Sequence, residues 1–252
     1  MHPNVRPFIA LKLFPRFMKR LVIFSGAGMS AESGLKTFRD SGGLWEQYNI
    51  EEVATPEAWA ANPKLVLDFY NMRRRQVLEA SPNSAHKALV RLEEKYDVQV
   101  ITQNIDDLHE RAGSSKVLHL HGEILKARPE NNADELHTVQ EDLDLGDVND
   151  AGVQLRPHVV WFGEDVPEMM KAIEIIRRAH IVLIVGTSLN VYPAAGLIHY
   201  APKLCSMYIV DPDDVRQPNF KNVRFIKRPA SDGVPLIVDE LMTLSDVAES
   251  KK

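Results

Sequence analysis

The chain has 252 residues, 44% hydrophobic and 26% charged, with a formal net charge of −5 and one cysteine. That is enough for one large domain carrying a smaller insert. The acidic balance argues against nucleic acid as a partner, and no apolar run reaches the roughly 20 residues that span a bilayer. Cys205 can neither close an internal disulfide nor hold zinc by itself, which fits a reducing, cytoplasmic setting.

Residues 1–18 lie in a stretch that is basic and lacks acidic residues, and they read as a tail or upstream extension. A mitochondrial presequence is the other reading, against which stand Pro3, Pro7, Pro15 and the lack of serine. Leu21–Phe24 reads as a buried strand running into Gly26-Ala27-Gly28. Gly34 argues against a long helix there, so Ser33–Asp40 reads as a mobile loop. Lys64–Glu79 has helical spacing, with Leu65, Phe69, Met72 and Gln76 on one stripe, and Ser84–Lys95 is a second helix. Val98–Thr102 is a short strand ending at Gln103-Asn104. Glu123–Arg156 is acidic and weakly periodic and reads as an insert. Pro167–Ala179 is a helix, followed by the strongest strand, Ile181–Val185, which ends in Gly186-Thr187-Ser188. Met207–Val210 and Val223–Ile226 are further strands, and Val234–Leu244 is a closing helix.

Apolar runs alternating with helices indicate an α/β fold: a Rossmann-like parallel sheet with helices on both faces, plus a small inserted module. The sheet domain takes residues 19–122 and 159–246, and the insert takes 123–158. Three strands end in polar or glycine-rich loops, and ligands bind beyond such strand ends.

Gly26 to Ala31 matches G-x-G-x-x-A, in which glycines let the backbone approach a pyrophosphate. A turn that needs glycine for backbone reasons gives the same letters. Gln103 and Asn104 can bond ribose hydroxyls or a carboxamide, and Asp106 can also cap a short helix over 107–111. His119 and His121 share one face of a strand. They suggest a metal pair without a third ligand, or a single general base at the strand end.

The segments GAGMSAESGLKTFRD, TQNIDDLHERAG, HLHGE, RPHVVWFGE and GTSLNVYPAAG occur in the order and spacing of the sirtuins, NAD-dependent protein lysine deacylases, which the chain resembles from about Leu21 to Leu241. The resemblance implies NAD as cofactor and acyl-lysine proteins or peptides as partners of a monomer, with no membrane or nucleic acid. It implies that Gly26, Ala27 and Gly28 line the pyrophosphate, and that Phe38 and Arg39 belong to a cofactor loop. Gln103, Asn104, Ile105 and Asp106 would bind ribose and nicotinamide. Gly186, Thr187, Ser188 and Ala230 would lie along the rest of the cofactor; where the family usually has an asparagine this chain departs from it with Asp211, whose carboxylate would accept from ribose hydroxyls instead. His121 would be the general base and Asn104 the second catalytic residue, with Val160, Trp161, Phe162 and Gly163 a strand that pairs with the substrate peptide. The implied products are lysine, nicotinamide and O-acyl-ADP-ribose.

VATP and FYNMRR resemble the sirtuins that remove acidic acyl groups. There Ala54 would leave room for the acyl chain, and Tyr70 with Arg73 would hold its carboxylate. Periodicity alone reads Arg73, Arg74 and Arg75 as a solvated basic patch. The chain departs from the family in having no cysteine between His121 and Phe162, which implies no structural zinc. The insert would then rest on Leu136, Val139, Leu143 and Val153. An ADP-ribosyltransferase and a non-catalytic NAD-sensing module are the competing readings.

Overall fold

The structure, a computed structural model, describes residues 18–37, 48–215 and 222–249. Six strands form one sheet: β1 (Arg20–Ser25), β2 (Asp97–Thr102), β3 (Val117–His119), β7 (Ile181–Val185), β8 (Ser206–Val210) and β9 (Val223–Ile226). The order is β3-β2-β1-β7-β8-β9, with every neighbouring pair parallel. The winding reverses between β1 and β7, the position where such sheets open a crevice for ligands.

The two central strands explain the layering. Val22, Phe24, Val182 and Ile184 enter a core with helix α7 (Met169–Ile176) and the 3₁₀ segment Ala194–Tyr200. The alternate residues Leu21, Ile23, Leu183 and Val185 enter a second core with α5 (Ser84–Arg91) and α8 (Ala230–Glu249). Period-two alternation with both sets apolar produces the continuous hydrophobic runs of the sequence.

Several boundaries move. The helix expected over Ser84–Lys95 ends at Arg91 and tightens into a 3₁₀ turn over Leu92–Glu94, a common finish for a helix. The one expected over Pro167–Ala179 is regular only over Met169–Ile176. The closing helix starts at Ala230, one turn before the apolar stripe reveals it.

The remaining elements build a second unit. Helices α2 (Ile50–Val53), α3 (Pro56–Ala61) and α4 (Pro63–Glu79) pack on an antiparallel sheet of β4 (Gly122–Pro129), β5 (His137–Thr138) and β6 (Leu155–Val159), in the order β5-β4-β6. Thr55 and Asn62 cap α3 and α4 by accepting bonds from Ala58 N and Leu65 N, with proline at the first helical position of each. Of the four residues expected to hold the insert, Leu143 is buried and Val139 packs beside the third core, whereas Leu136 is exposed and Val153 is half-buried.

Helix α4 corrects the expected stripe. Phe69 is buried, but so are Val66, Leu67, Tyr70, Asn71, Arg73, Arg74 and Val77, while Leu65, Met72 and Gln76 are partly exposed. The helix lies against both its neighbours and the small sheet, so its buried arc exceeds one stripe. The basic run is therefore not a solvated patch: Arg73 and Arg74 point inward, and only Arg75 reaches out, to Asp142.

The donors do not suit a structural zinc. Among the described residues no three His, Cys, Asp or Glu side chains cluster, and residues 122–161 contain no cysteine. Side-chain bonds hold the segment instead. Asn71 donates to Leu143 O (3.0 Å) and accepts from Leu143 N (2.9 Å), as a strand neighbour would. The fully buried Arg74 donates to Ile124 O (3.0 Å) and Asn71 Oδ1 (2.6 Å).

Candidate active site

Three loops meet at the β1–β7 switch point. Gly26 N donates to Val185 O (3.0 Å) and Gly28 N to Gly186 O (2.9 Å). The crossing leaves no room for side chains: a Cβ on Gly28 would lie 2.7 Å from Gly186 Cα. Gly186 itself has φ +59°, and a Cβ there would lie 2.3 Å from Met29 N. Both readings of the glycine loop therefore have substance, because the glycines let the loops cross and also line the cavity. The following helix α1 spans only Gly28–Ala31, and the chain turns at Gly34.

The third loop is clamped from several sides. Gln103 N donates to Ser25 O (2.9 Å), and its side-chain amide reaches Thr187 Oγ1 (2.9 Å). Asn104 N donates to Thr102 Oγ1 (3.0 Å) and its Nδ2 to Ser30 Oγ (3.0 Å). Ser30 in turn donates to Asp106 Oδ2 (3.0 Å), while Asp106 Oδ1 accepts from Leu108 N (3.2 Å) at the start of α6 (Leu108–Ala112). Asp106 thus serves as a helix-start acceptor and a loop anchor. Its burial raises its pKa, against the bonds from Leu108 and Ser30. Ser30 was not singled out from the sequence, although its place two residues beyond the Gly-Ala-Gly turn puts a hydroxyl on the first turn of α1.

His121 Nδ1 lies 3.0 Å from Gln103 O. A carbonyl only accepts, so Nδ1 carries the proton and Nε2 is left as the basic nitrogen. Burial lowers the His121 pKa, opposed by the Gln103 carbonyl, which keeps the ring neutral near pH 7. His119 has both ring nitrogens engaged, by Asn104 O and Glu110, so it has no nitrogen left to pair with His121 around a metal.

A cavity of about 420 Å³ opens here, lined by Gly26, Ala27, Gly28, Gln103, Asn104, His121, Val160–Gly163, Gly186–Ser188 and Asp211 among others. Ile105 and Asp106 line a smaller adjoining cavity together with Arg73 and Asn104. Phe38 and Arg39 lie outside the described residues. Ala54 and Tyr70 are buried in the third core and line neither cavity. Ala230 opens α8, is buried in the core on the sheet face shared with α5, and lines neither cavity. Asp211 lines the cavity with one oxygen accepting from Asp213 N (3.0 Å).

The strand expected over Val160–Gly163 is also corrected. The ladder with β4 ends at Val159. Beyond it Val160 N donates to His121 O (2.9 Å), Trp161 N to Glu164 Oε2 (2.8 Å) and Phe162 N to Ala54 O (3.0 Å). No single neighbouring strand supplies these acceptors, and the segment turns at Phe162-Gly163, where Glu164 N donates to Trp161 O (3.1 Å). Beneath it the Arg156 guanidinium stacks 3.2 Å from the Trp161 ring centre and bonds Glu164 (2.6 Å). Burial works to raise the Glu164 pKa, but the Arg156 bond and the Trp161 N–H outweigh it and lower it. Sequence reasoning also missed the wall formed by Asn190–Pro193 and Pro212–Val215. The motif GTSLNVYPAAG contains the first of these, but its residues past Ser188 carry no group that announces a ligand.

Comparison with known proteins follows the same geometry. Residues 26–193 match the model of the Sir2 family. An NAD-dependent protein deacylase of Helicobacter pylori (strain J99 / ATCC 700824) is 51% identical over 228 residues, 90% of this chain and 97% of that protein. One from Bacteroides thetaiotaomicron is 49% identical, over 86% of this chain and 95% of its own. Among solved structures, a Sir2 homolog in complex with NAD superposes with a TM-score of 0.80 at 35% identity, covering 90% of this chain and 91% of that one. A Sir2–p53 peptide–NAD+ complex superposes with a TM-score of 0.74 at 30% identity, covering 88% and 93%.

Proposed function

The chain belongs to the Sir2 family and is an NAD-dependent protein deacylase, and from that premise we propose that it prefers acidic acyl groups, succinyl and malonyl, on protein lysines. The observation that carries the preference is the burial of Tyr70 and Arg73 one turn apart on α4, with Arg73 on the wall of the cavity that also holds Asn104 and Asp106. Arg73 donates to Gln76 Oε1 (3.1 Å), and a buried guanidinium on a cavity wall is suited to receive an anion. Burial lowers the Arg73 pKa, and Asp106 and Tyr70 oppose that shift. A carboxylate on the acyl chain would add two charge-assisted hydrogen bonds at this guanidinium, with the Tyr70 hydroxyl one turn away on α4. Burial raises the Tyr70 pKa, so that hydroxyl stays a donor.

The residues present suit NAD: glycines that permit close backbone approach line one wall of the cavity, and amides and hydroxyls line the next. Bound NAD supplies a ribose carbon whose bond to nicotinamide is weakened by the charge on that ring. The chain does the rest. His121 Nε2 accepts the proton of a hydroxyl presented in the cavity. Asn104, anchored at Thr102 and Ser30, orients the reacting groups. Trp161 and Phe162 keep water out. The N–H groups of Val160, Trp161 and Phe162 and the Trp161 carbonyl are already engaged within the chain, so a substrate strand adding along this edge would meet the carbonyl oxygens of Val160 and Phe162.

The test is nicotinamide release with matched succinyl-lysine and acetyl-lysine peptides. The wild-type protein is expected to favour the succinyl peptide. Arg73→Met should lower kcat/KM for it by about a hundredfold, the scale of two charge-assisted hydrogen bonds, while costing the acetyl peptide no more than about threefold. Equal losses on both would sink the carboxylate clamp. Release without peptide deacylation would favour transfer of ADP-ribose to another acceptor.

A further inference from the structure

Two histidines stand two residues apart at the end of β3, and the fold treats them differently. His121 bonds one carbonyl through Nδ1, and Nε2 stays basic. His119 makes the matching bond to the next carbonyl, with Nδ1 2.9 Å from Asn104 O. Its Nε2, however, lies 2.8 Å from Glu110 Oε1 on α6. A carbonyl and a carboxylate both only accept, so a ring bonded to both must donate from both nitrogens. We propose that His119 is a positioning residue: doubly protonated between the Glu110 carboxylate and the Asn104 carbonyl, it fixes the backbone of Asn104 beside the ring of His121. The proposal rests on the deacylase reading, since Asn104 and His121 are the groups it positions.

The surroundings support a charge there. The His119 side chain is 7% exposed, and burial alone would lower its pKa. The Glu110 bond and charge, the Asn104 carbonyl and Glu123 on β4 outweigh burial and raise it above the ordinary 6.5. Asp106 and Asp107, ahead of α6, face the same ring and are stabilised by its charge. His109 on α6 is the opposing group, and burial keeps it neutral, with a pKa far below the ordinary value. The Glu110 partner pKa moves in the complementary direction, lowered by the His119 bond against the effect of burial. His119 is therefore protonated below the ordinary histidine pKa in both folded and unfolded states, and there the pair contributes fully to stability. That contribution is lost as pH rises through the raised folded value. One ring bond then disappears, and with it the grip on Asn104.

Asn104 is thus held at three points: its N–H by Thr102, its side-chain amide by Ser30 and its carbonyl by His119. The first two holds use hydroxyls that do not titrate near neutrality. The third gives the site an alkaline limit separate from the acidic limit set by protonation of His121.

The test has two arms. In 15N–1H spectra of the free protein, both ring nitrogens of His119 should be protonated at a pH where His121 carries one proton. A singly protonated His119 overturns the proposal, whatever the activity. In turnover of the best acyl-lysine peptide, His119→Phe should lower kcat about ten- to a hundredfold, the scale of a hydrogen bond from a charged group, with the peptide KM unchanged. His119→Asn keeps an amide donor towards Asn104 and should restore most of kcat while flattening the alkaline limb. Glu110→Gln should move that limb to lower pH and leave the acidic limb in place. An unchanged kcat and pH profile in His119→Phe overturns the proposal. A wild-type protein that turns over no acyl-peptide overturns the deacylase reading instead, and the spectra still decide the protonation state on which the His119 assignment stands or falls.

Discussion

In the six-stranded sheet, the two glycine loops are held by backbone crossing backbone: Gly28 N on Gly186 O, Gly26 N on Val185 O, with fully buried apolar strands beneath. In the three-stranded module, side chains do the holding: Asn71 on both polar groups of Leu143, Arg74 on Ile124 O, Arg156 and Glu164 around Trp161. The first mode tolerates no added atom at the crossing and depends little on side-chain identity beyond glycine. The second tolerates changes of shape at its surface and depends on particular polar groups having partners, because each orphaned buried group costs its full desolvation. The cavity is walled by both, so damage to either should reach NAD and peptide differently.

Gly186→Ala should have the largest effect, and it strikes the first mode. The new Cβ would lie 2.3 Å from Met29 N and 2.4 Å from Gly28 C, both backbone atoms, at φ +59°. Neither contact can be relieved by a rotamer change. The loops must separate, at about 3 kcal/mol of stability or more, and calorimetry should show NAD affinity falling at least tenfold. Near-normal NAD binding would mean that the crossing is not what shapes the cavity.

Asn71→Ala strikes the second mode. It removes both bonds to Leu143 and the nearer of the two acceptors of Arg74 Nη1, leaving Glu141 O (3.3 Å). With Leu143 N and O orphaned in a buried place, the loss should be about 3 kcal/mol. Hydrogen exchange should speed up in residues 124–129 and 139–143 while β1 and β7 stay protected. Equal deprotection of the large sheet would show that the two units open together and erase the contrast drawn between them.

The same contrast decides what the sequence reveals. β1 and β7 are legible because both of their faces are apolar and each ends in glycine. The Gly-Ala-Gly turn, Gln103-Asn104 and His121 follow from position at strand ends. The small module is not legible in that way. Arg73 and Arg74 look like surface residues, because charge patterning carries no record of the carbonyls that receive them. The resemblance marks Val160–Gly163 as a peptide-pairing strand, and no local pattern shows that its partners within the chain are His121, Glu164 and Ala54, from three separate places. The five linked motifs identify the family where single residues do not. They leave the His119–Glu110 pair, which only the fold brings together, unread.

The smallest expected effect comes from a glycine that neither mode uses. Gly34 has φ +91°, but a Cβ built there meets nothing within 4 Å. Gly34→Ala therefore carries backbone strain and no clash, about 1 kcal/mol, which lowers Tm by roughly 2–4 °C in a domain of this size. NAD affinity should hold to within about twofold, because the turn lies beyond α1 and shares no bond with Gly28, Gln103 or Gly186. A thermal melt and an NAD titration on the same sample read both quantities. If Gly34→Ala weakened NAD as Gly186→Ala does, glycine conformation along the whole segment, and not the crossing of two loops, would be the property that builds the cofactor wall.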